Sequence, residues 1–444
     1  MSLLQEGQHL QTTDGQVVVV EKLLAAGGQG EVYRVKVDGR VCAMKWYHIP
    51  ANPEQGERAL KQKEALESSD MGLLNLTPPD NIFLWPQALV LDPKKYTYGY
   101  IMDLLEPRFQ GLEKLVLGKI KPSPSFHTLC LAAIRLSDAF RKLHLAGLCY
   151  KDINLGGPFI DPKTGEVRIC DNDNVRVDNA PGNIIFVFFA APELILNQGN
   201  CSSKTDLHSL AVLLFYIFVR HHPLDGKREL QINVFNDNAQ RAFYGKNPIF
   251  IFDPENDKNR PVPGFHDQAI RNWQLYPRFI KRLFTRAFTE GLKEPNKRVR
   301  ENEWISALSK LRDSLYYCSH CGIEAFYDFE AEAQGIQNTC WRCKKPSALP
   351  MRLYIDGNPI LLNHNTKLYA HNLGDIFDFS KVVGQVTQHP QDKRKWGLQN
   401  LSGNDWFFSL GEAPQRTAGH GATIPLRRGV QLTFGNRKGE MGSI

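Results

Sequence analysis

Apolar and polar positions along this chain of 444 residues change their arrangement three times. Between residues 15 and 47, runs of β-branched and apolar residues alternate with glycines: Gln16-Val17-Val18-Val19-Val20, Glu31-Val32-Tyr33-Arg34-Val35, and Arg40 to Trp46. These predict three antiparallel strands. Residues 54–68 lack Pro and are rich in Glu, Lys, Leu and Ala, which predicts a helix. Ile82-Phe83-Leu84-Trp85 and Tyr98-Gly99-Tyr100-Ile101-Met102 read as two further strands. From about residue 124 the pattern becomes helical, at 126–147, 203–219, 266–289 and 303–316. A small sheet-rich lobe therefore precedes a larger helical one. The composition breaks at Tyr316-Tyr317-Cys318, and Ala348-Leu349-Pro350 reads as a linker. From residue 351 the chain is strand-like, with turns at Asp356-Gly357-Asn358 and Gly403-Asn404-Asp405. There is no internal repeat and no low-complexity tract.

The length suits two or three domains. A hydrophobic content of 42% and a charged content of 23% are ordinary for a globular chain. The net charge of +7 admits anionic partners such as nucleotides but does not announce a nucleic-acid binder. The N-terminus has neither a basic nor an apolar leader stretch, so no secretion signal is expected. The most apolar run, Leu207 to Val219, is too short to span a bilayer and is expected as a buried helix. Cys42, Cys130, Cys149, Cys170 and Cys201 lie scattered in apolar stretches, as small core residues of a reducing, cytoplasmic compartment would. Cys318, Cys321, Cys340 and Cys343 instead form two tight pairs.

Four short segments carry candidate chemistry. In Ala25-Ala26-Gly27-Gly28-Gln29-Gly30-Glu31-Val32, glycines let backbone amides approach phosphates without an intervening Cβ. Lys45, fifteen residues beyond Gly30 on the third predicted strand, can reach phosphates from there. It needs a carboxylate to hold it; Glu64 is the preferred partner, with Glu57 and Glu67 as rivals. Asp152, in Tyr150-Lys151-Asp152, follows a predicted helix and can accept the proton of an attacking hydroxyl. Asp171, in Asp171-Asn172-Asp173, closes a predicted strand and suits Mg2+, which takes one or two carboxylates beside phosphate oxygens.

In this order and spacing, residues of about 14–313 resemble the eukaryotic-type Ser/Thr protein kinases. The small lobe would span about 14–103 and the large lobe about 104–313. Ala191-Pro192-Glu193 resembles the motif closing the activation segment, and Arg298 the arginine that pairs with its glutamate, here Glu193. Thr205-Asp206-Leu207-His208-Ser209-Leu210 resembles the start of the buried helix whose Asp braces the catalytic loop. The resemblance implies ATP and Mg2+, a hinge at Met102, Asp103 and Leu104, and an adenine ring held by Val32, Ala43 and Phe159. It also implies transfer of the γ-phosphate to a protein hydroxyl. The chain departs from the family at Ala25, where a glycine is usual, and at Gly157, which stands where an Asn holds a second Mg2+. Asn154 is a candidate replacement from a different position. Lys151 replaces an Arg, and no Ser, Thr or Tyr lies between Asp171 and Glu193. Activation-loop phosphorylation is therefore excluded there, and apolar packing of Ile184 to Phe189 is expected to hold the segment. The reading is a weak or atypically regulated kinase; the alternative is a nucleotide-binding pseudokinase scaffold assembling partners through the segments that follow.

In the second region, 316–348, the two Cys-x-x-Cys pairs stand eighteen residues apart and offer four thiolates to one structural Zn2+. Residues 350–444 resemble a forkhead-associated β-sandwich, best over Leu426 to Gly435. The phosphothreonine-reading residues of that family are not evident, since Gln385 follows Gly384 where an Arg is usual. The expected fold class is thus multidomain α+β: a bilobal kinase-like fold, a four-cysteine zinc ribbon, and an all-β forkhead-associated-like sandwich. This order resembles a bacterial kinase encoded near tellurium-resistance genes. That resemblance implies a von Willebrand A-type protein and a metal-dependent phosphatase as partners.

Overall fold

The computed structural model describes residues 2–48, 63, 72–92, 97–179, 187–375 and 378–442. The chain divides into two compact units. One comprises Met1–Pro124, Leu131–Asn272 and Leu283–Trp304, the other Ser125–Cys130, Trp273–Arg282 and Ile305–Ile444.

The first unit opens with six strands: β1 His9–Gln11, β2 Val17–Ala26, β3 Gly30–Val37, β4 Arg40–Tyr47, β5 Ala88–Asp92 and β6 Thr97–Met102. They form one antiparallel sheet in the order β1-β2-β3-β4-β6-β5. Alternation along β4 divides its side chains between two faces. Cys42, Met44 and Trp46 join Val18, Val35, Val90 and Ile101 in an apolar cluster. Ala43, Lys45 and Tyr47 point the other way and are buried as well. Gly99 makes the sheet possible at its centre: a Cβ there would lie 2.5 Å from the Lys45 carbonyl oxygen and 2.7 Å from the Trp46 ring.

The strand expected at 82–85 does not form. Leu84 donates to the Ile169 carbonyl (2.9 Å) and Ile169 to that of Ile82 (2.8 Å), making a single parallel bridge at Phe83. Pro86 has no N–H to continue such a ladder, and the edge strand β5 starts after it. The expected helix over 54–68 lies outside the described residues except for Lys63, which is helical.

Helices Phe126–Leu145 and Ser203–Val219 form where the pattern places them. The second begins with a capping box in which Ser202 and Thr205 exchange side-chain and backbone bonds. Its body is buried nearly throughout. The single helix expected over 266–289 is instead two, Asp267–Trp273 and Arg278–Ala287. Pro277 stands between them and disfavours a helical residue before it. The run at 303–316 becomes helix Glu301–Asp313, and Leu315–Tyr317 is already a strand. Among the described residues no helix is long and apolar enough to cross a membrane.

In the second unit, Leu315–Tyr317 pairs with Glu324–Phe326, and two larger antiparallel sheets follow. One holds Arg352–Ile355, Asn358–Leu361, Trp406–Leu410, Arg416–Ala418, Val430–Phe434 and Arg437–Gly442. The other holds Lys367–Tyr369, Val382–Gln388, Trp396–Asn400 and Thr423–Pro425. Leu353, Ile360, Val430 and Met441 from the first share one apolar cluster with Leu368, Val386, Leu398 and Ile424 from the second. Trp406 sits in this cluster directly over Gly384, where a Cβ would meet its ring at 2.6 Å.

Candidate active site and cysteine cluster

Lys45 reaches its place through register. On β4 it pairs with Val32 of β3 and Tyr100 of β6, two residues along from the Ala43–Met102 pair. Its side chain is 7% exposed, and Nζ lies 3.0 Å from Asp171 Oδ1 and 3.1 Å from Asp173 Oδ1. The two carboxylates differ in surroundings. Asp171 follows strand Val167–Ile169 in a left-handed conformation (φ +58°), and its side chain is 48% exposed. Asp173 is fully buried and also accepts from the hydroxyls of Tyr47 and Tyr100. Burial alone would push the Lys45 ammonium down; the Asp173 and Asp171 carboxylates outweigh it and hold that pKa above its ordinary value. Asp173 is shifted the opposite way: burial favours its neutral form, but Lys45 and the Tyr47 hydroxyl keep it ionised. Glu64, the preferred partner of Lys45 from sequence, lies outside the described residues, as do Glu57 and Glu67.

The glycine turn joins β2 to β3, with Ala25 paired to Val32 and the Gly27 amide donating to the Gly30 carbonyl (2.9 Å). Its glycines serve different ends. A Cβ on Gly30 would lie 2.2 Å from the Trp46 carbonyl oxygen, so the sheet itself requires that glycine. Gly27 and Gly28 are exposed, with nothing closer than 3.9 Å to an added Cβ, so their backbone is open to a ligand. Met102 closes β6 and is buried, Asp103 is exposed, and Leu104 and Phe159 are half-buried.

The Asp152 loop is braced from below. Asp206, in the first turn of Ser203–Val219, accepts from the amides of Tyr150 and Lys151 and faces His144 Nε2 at 3.2 Å. Tyr150 is fully buried and donates its hydroxyl to the carbonyls of Cys170 and Asp171, tying the two aspartate segments together. Burial pushes the Asp152 carboxyl up to about 7; Asn154 opposes this, and the Asp171 and Asp173 carboxylates add to it. Asp152 borders a small crevice with Lys151, Phe189, Leu194, Thr205 and Ser209. Asn154 donates to the Asp152 carbonyl (2.9 Å) and accepts from the Gly156 amide (2.7 Å), so its amide group closes the loop. A Cβ on Gly157 would stand 3.3 Å from the Tyr150 hydroxyl oxygen. The tyrosine thus crowds the space where the kinase pattern has an asparagine side chain.

Arg298 grips Glu193 through two bonds of 2.7 Å, the pair expected from the sequence. Of the apolar run 184–189, residues 184–186 lie outside the described residues. Phe189 stacks on Tyr216 at 5.5 Å between centroids, and Phe188 meets Tyr244 edge-on at 5.6 Å. Sequence reasoning missed Asp173, Tyr47 and Tyr100. The signal was present: Lys45 and Tyr47 are two apart, as are Tyr98 and Tyr100, a spacing that puts each pair on one strand face.

In the second unit, the thiol sulfurs of Cys318, Cys321, Cys340 and Cys343 all lie within 4.8 Å of one another. Cys318–Cys343 and Cys321–Cys340 are each separated by 3.7 Å. A tetrahedron with metal–sulfur bonds of about 2.3 Å has an edge of about 3.8 Å, whereas a disulfide needs about 2.05 Å. The cluster therefore has the dimensions of a four-thiolate metal site. Two similar turns build it. Gly322 donates to the Cys318 carbonyl (2.8 Å) and Lys344 to that of Cys340 (2.9 Å), each in a left-handed conformation. His320 bonds through Nε2 to the Pro346 carbonyl (2.9 Å) and is not a member of the cluster.

No family model matches the chain. Glycogen synthase kinase 1 of Pyricularia oryzae is 22% identical over 200 residues, 44% of this chain and 48% of that protein. Protein kinase MCK1 of Saccharomyces cerevisiae is 23% identical over 198 residues, 41% of this chain and 52% of that protein. Protein kinase gsk31 of Schizosaccharomyces pombe is 31% identical over 94 residues, 20% of this chain and 24% of that protein. The chain thus spans about half the length of the first two relatives, or less for the third. Over about 40% of its length it is distantly homologous to eukaryotic Ser/Thr protein kinases.

Proposed function

We propose that the first unit is a Ser/Thr protein kinase domain that transfers the γ-phosphate of ATP to a protein hydroxyl. The observation that carries this reading is the meeting of Lys45 Nζ with the half-exposed Asp171 carboxylate at 3.0 Å. Lys45 supplies the positive charge for the triphosphate, and the open backbone of Gly27 and Gly28 lies in the turn between β2 and β3, of which β3 pairs directly with the strand of Lys45. Asp171 is the residue that would hold Mg2+, whose chemistry when bound is to neutralise charge on phosphate oxygens. Asn154 is the candidate for a second ion. Asp152 takes the proton of the attacking hydroxyl; with its pKa raised to about 7 it is tuned for proton exchange near neutrality. Val32, Ala43, Met102, Asp103, Leu104 and Phe159 form the proposed adenine site, and Glu64 remains a further proposed partner of Lys45.

The test is transfer of labelled γ-phosphate to a mixed protein acceptor by the full chain, with Asp152→Asn beside it. A general base is worth about 10²–10⁴-fold, so incorporation should fall at least a hundredfold. Equal incorporation by both proteins would overturn the assignment. A second reading, a pseudokinase that binds nucleotide without transfer, is favoured by Gly157 and the Tyr150 hydroxyl beside it. Nucleotide- and Mg2+-dependent stabilisation without incorporation would support it.

For the second unit we propose a structural Zn2+ held by Cys318, Cys321, Cys340 and Cys343, and a forkhead-associated-like interaction role for the residues from 350 onward. A von Willebrand A-type protein and a metal-dependent phosphatase are proposed as partners on the strength of the domain order alone, with a cytoplasmic setting.

A further inference from the structure

Lys45 needs a fixed position to act on a phosphate, and a long flexible side chain does not hold one unaided. Its two described partners are not equivalent. Asp171 leaves about half of its side chain exposed, so it has oxygen to spare for another cation. Asp173 has none to spare. It is wholly enclosed, and its carboxylate receives Lys45 Nζ on both oxygens (3.1 and 3.3 Å), the Tyr100 hydroxyl at 3.3 Å and the Tyr47 hydroxyl. Every one of these donors comes from the sheet. Lys45 and Tyr47 share a face of β4, and Tyr100 is the cross-strand partner of Lys45 on β6. The tyrosines fix the carboxylate, and the carboxylate fixes the ammonium. Tyr47 and Tyr98 pack at 4.6 Å, which holds the first hydroxyl in place.

We infer that Asp173 is the positioning residue for Lys45, anchored by the hydroxyls of Tyr47 and Tyr100. This rests on the kinase reading for its purpose, though not for its geometry. One consequence is economy of parts: a single three-residue segment, Asp171 to Asp173, places both the lysine and the exposed carboxylate.

Two measurements on the full chain separate the anchor from the kinase reading. The first is trace acylation with acetic anhydride, read at each lysine by mass spectrometry. In the native chain Lys45 should label far more slowly than half-exposed Lys36. Asp173→Asn keeps the size of the side chain and removes its charge, and should raise Lys45 labelling at least tenfold while the other lysines stay unchanged. Tyr47→Phe with Tyr100→Phe should raise it by a smaller factor. Unchanged Lys45 labelling in Asp173→Asn, or a rise shared by all lysines, would overturn the anchor. The second measurement is binding of a fluorescent ATP analogue with Mg2+, where Asp173→Asn should weaken affinity at least tenfold. If the native chain binds no nucleotide while its Lys45 protection depends on Asp173, the anchor stands and the kinase reading falls. If nucleotide binds equally to both proteins, the positioning role falls and the kinase reading stands.

Discussion

Protonation of one histidine should set the alkaline limit of the first unit. His144 lies near the end of helix Phe126–Leu145 between two carboxylates, Asp206 at 3.2 Å from Nε2 and Glu301 against Nδ1. Burial opposes its charge, yet hydrogen bonds to Asp206 and Glu301 prevail and raise its pKa from an ordinary 6.5 to about 9. The folded state therefore keeps a proton that the unfolded chain releases. This stabilisation is present in full below pH 6.5 and is lost as pH rises through about 9. At about 1.4 kcal/mol per pH unit, the interval amounts to roughly 3 kcal/mol. Its side chain is only 8% exposed, so solvent screening removes little of this. The loss should reach the loop that carries Asp152, because Asp206 also accepts the amides of Tyr150 and Lys151. Urea unfolding of the full chain at pH 6.5, 8 and 9.5, with hydrogen exchange followed over residues 148–153, measures both effects. Wild type should lose about 3 kcal/mol more than His144→Gln across that range, and exchange at Tyr150 and Lys151 should accelerate only in wild type. Parallel pH profiles for the two proteins would refute the reasoning.

Three further outcomes follow from particular contacts. Chelation of metal from the second unit should unfold the segment around Cys318–Cys343, since a four-thiolate site contributes on the order of 10 kcal/mol; unchanged hydrogen exchange there after chelation would count against a metal. Arg298→Ala leaves Glu193 without its bidentate partner and should cost about 3 kcal/mol in unfolding free energy, with a loss under 1 kcal/mol counting against the pair. Gly30→Ala drives a Cβ into the Trp46 carbonyl and should cost about 2 kcal/mol, whereas Gly28→Ala meets open space and should change stability by less than roughly 0.5 kcal/mol.

Much of this protein was legible from local chemistry. Strands β2, β3 and β4, the buried helix Ser203–Val219 and the all-β region after residue 351 follow from patterns that their own residues impose. The Cys-x-x-Cys pairs specify a thiol cluster, because each turn fixes two sulfurs over four residues. Where local rules compete, the outcome was less legible. Pro277 divides a helix that the apolar pattern alone would make continuous, and the ladder at 82–85 stops before Pro86.

The partners of Lys45 were decided in three dimensions. Sequence spacing places a lysine on one strand and two aspartates 126 and 128 residues later, but does not say which aspartate is enclosed. That depends on where Tyr47 and Tyr100 project when β4 and β6 pair, because burial and hydrogen bonds act through space rather than along the chain. The same is true of Gly157: its neighbour Tyr150 follows from the sequence, but the hydroxyl 3.3 Å from where a side chain would begin follows only from the fold. Sequence determined which groups carry the charge; tertiary packing decided which charges are sealed from water and which stay open to a ligand.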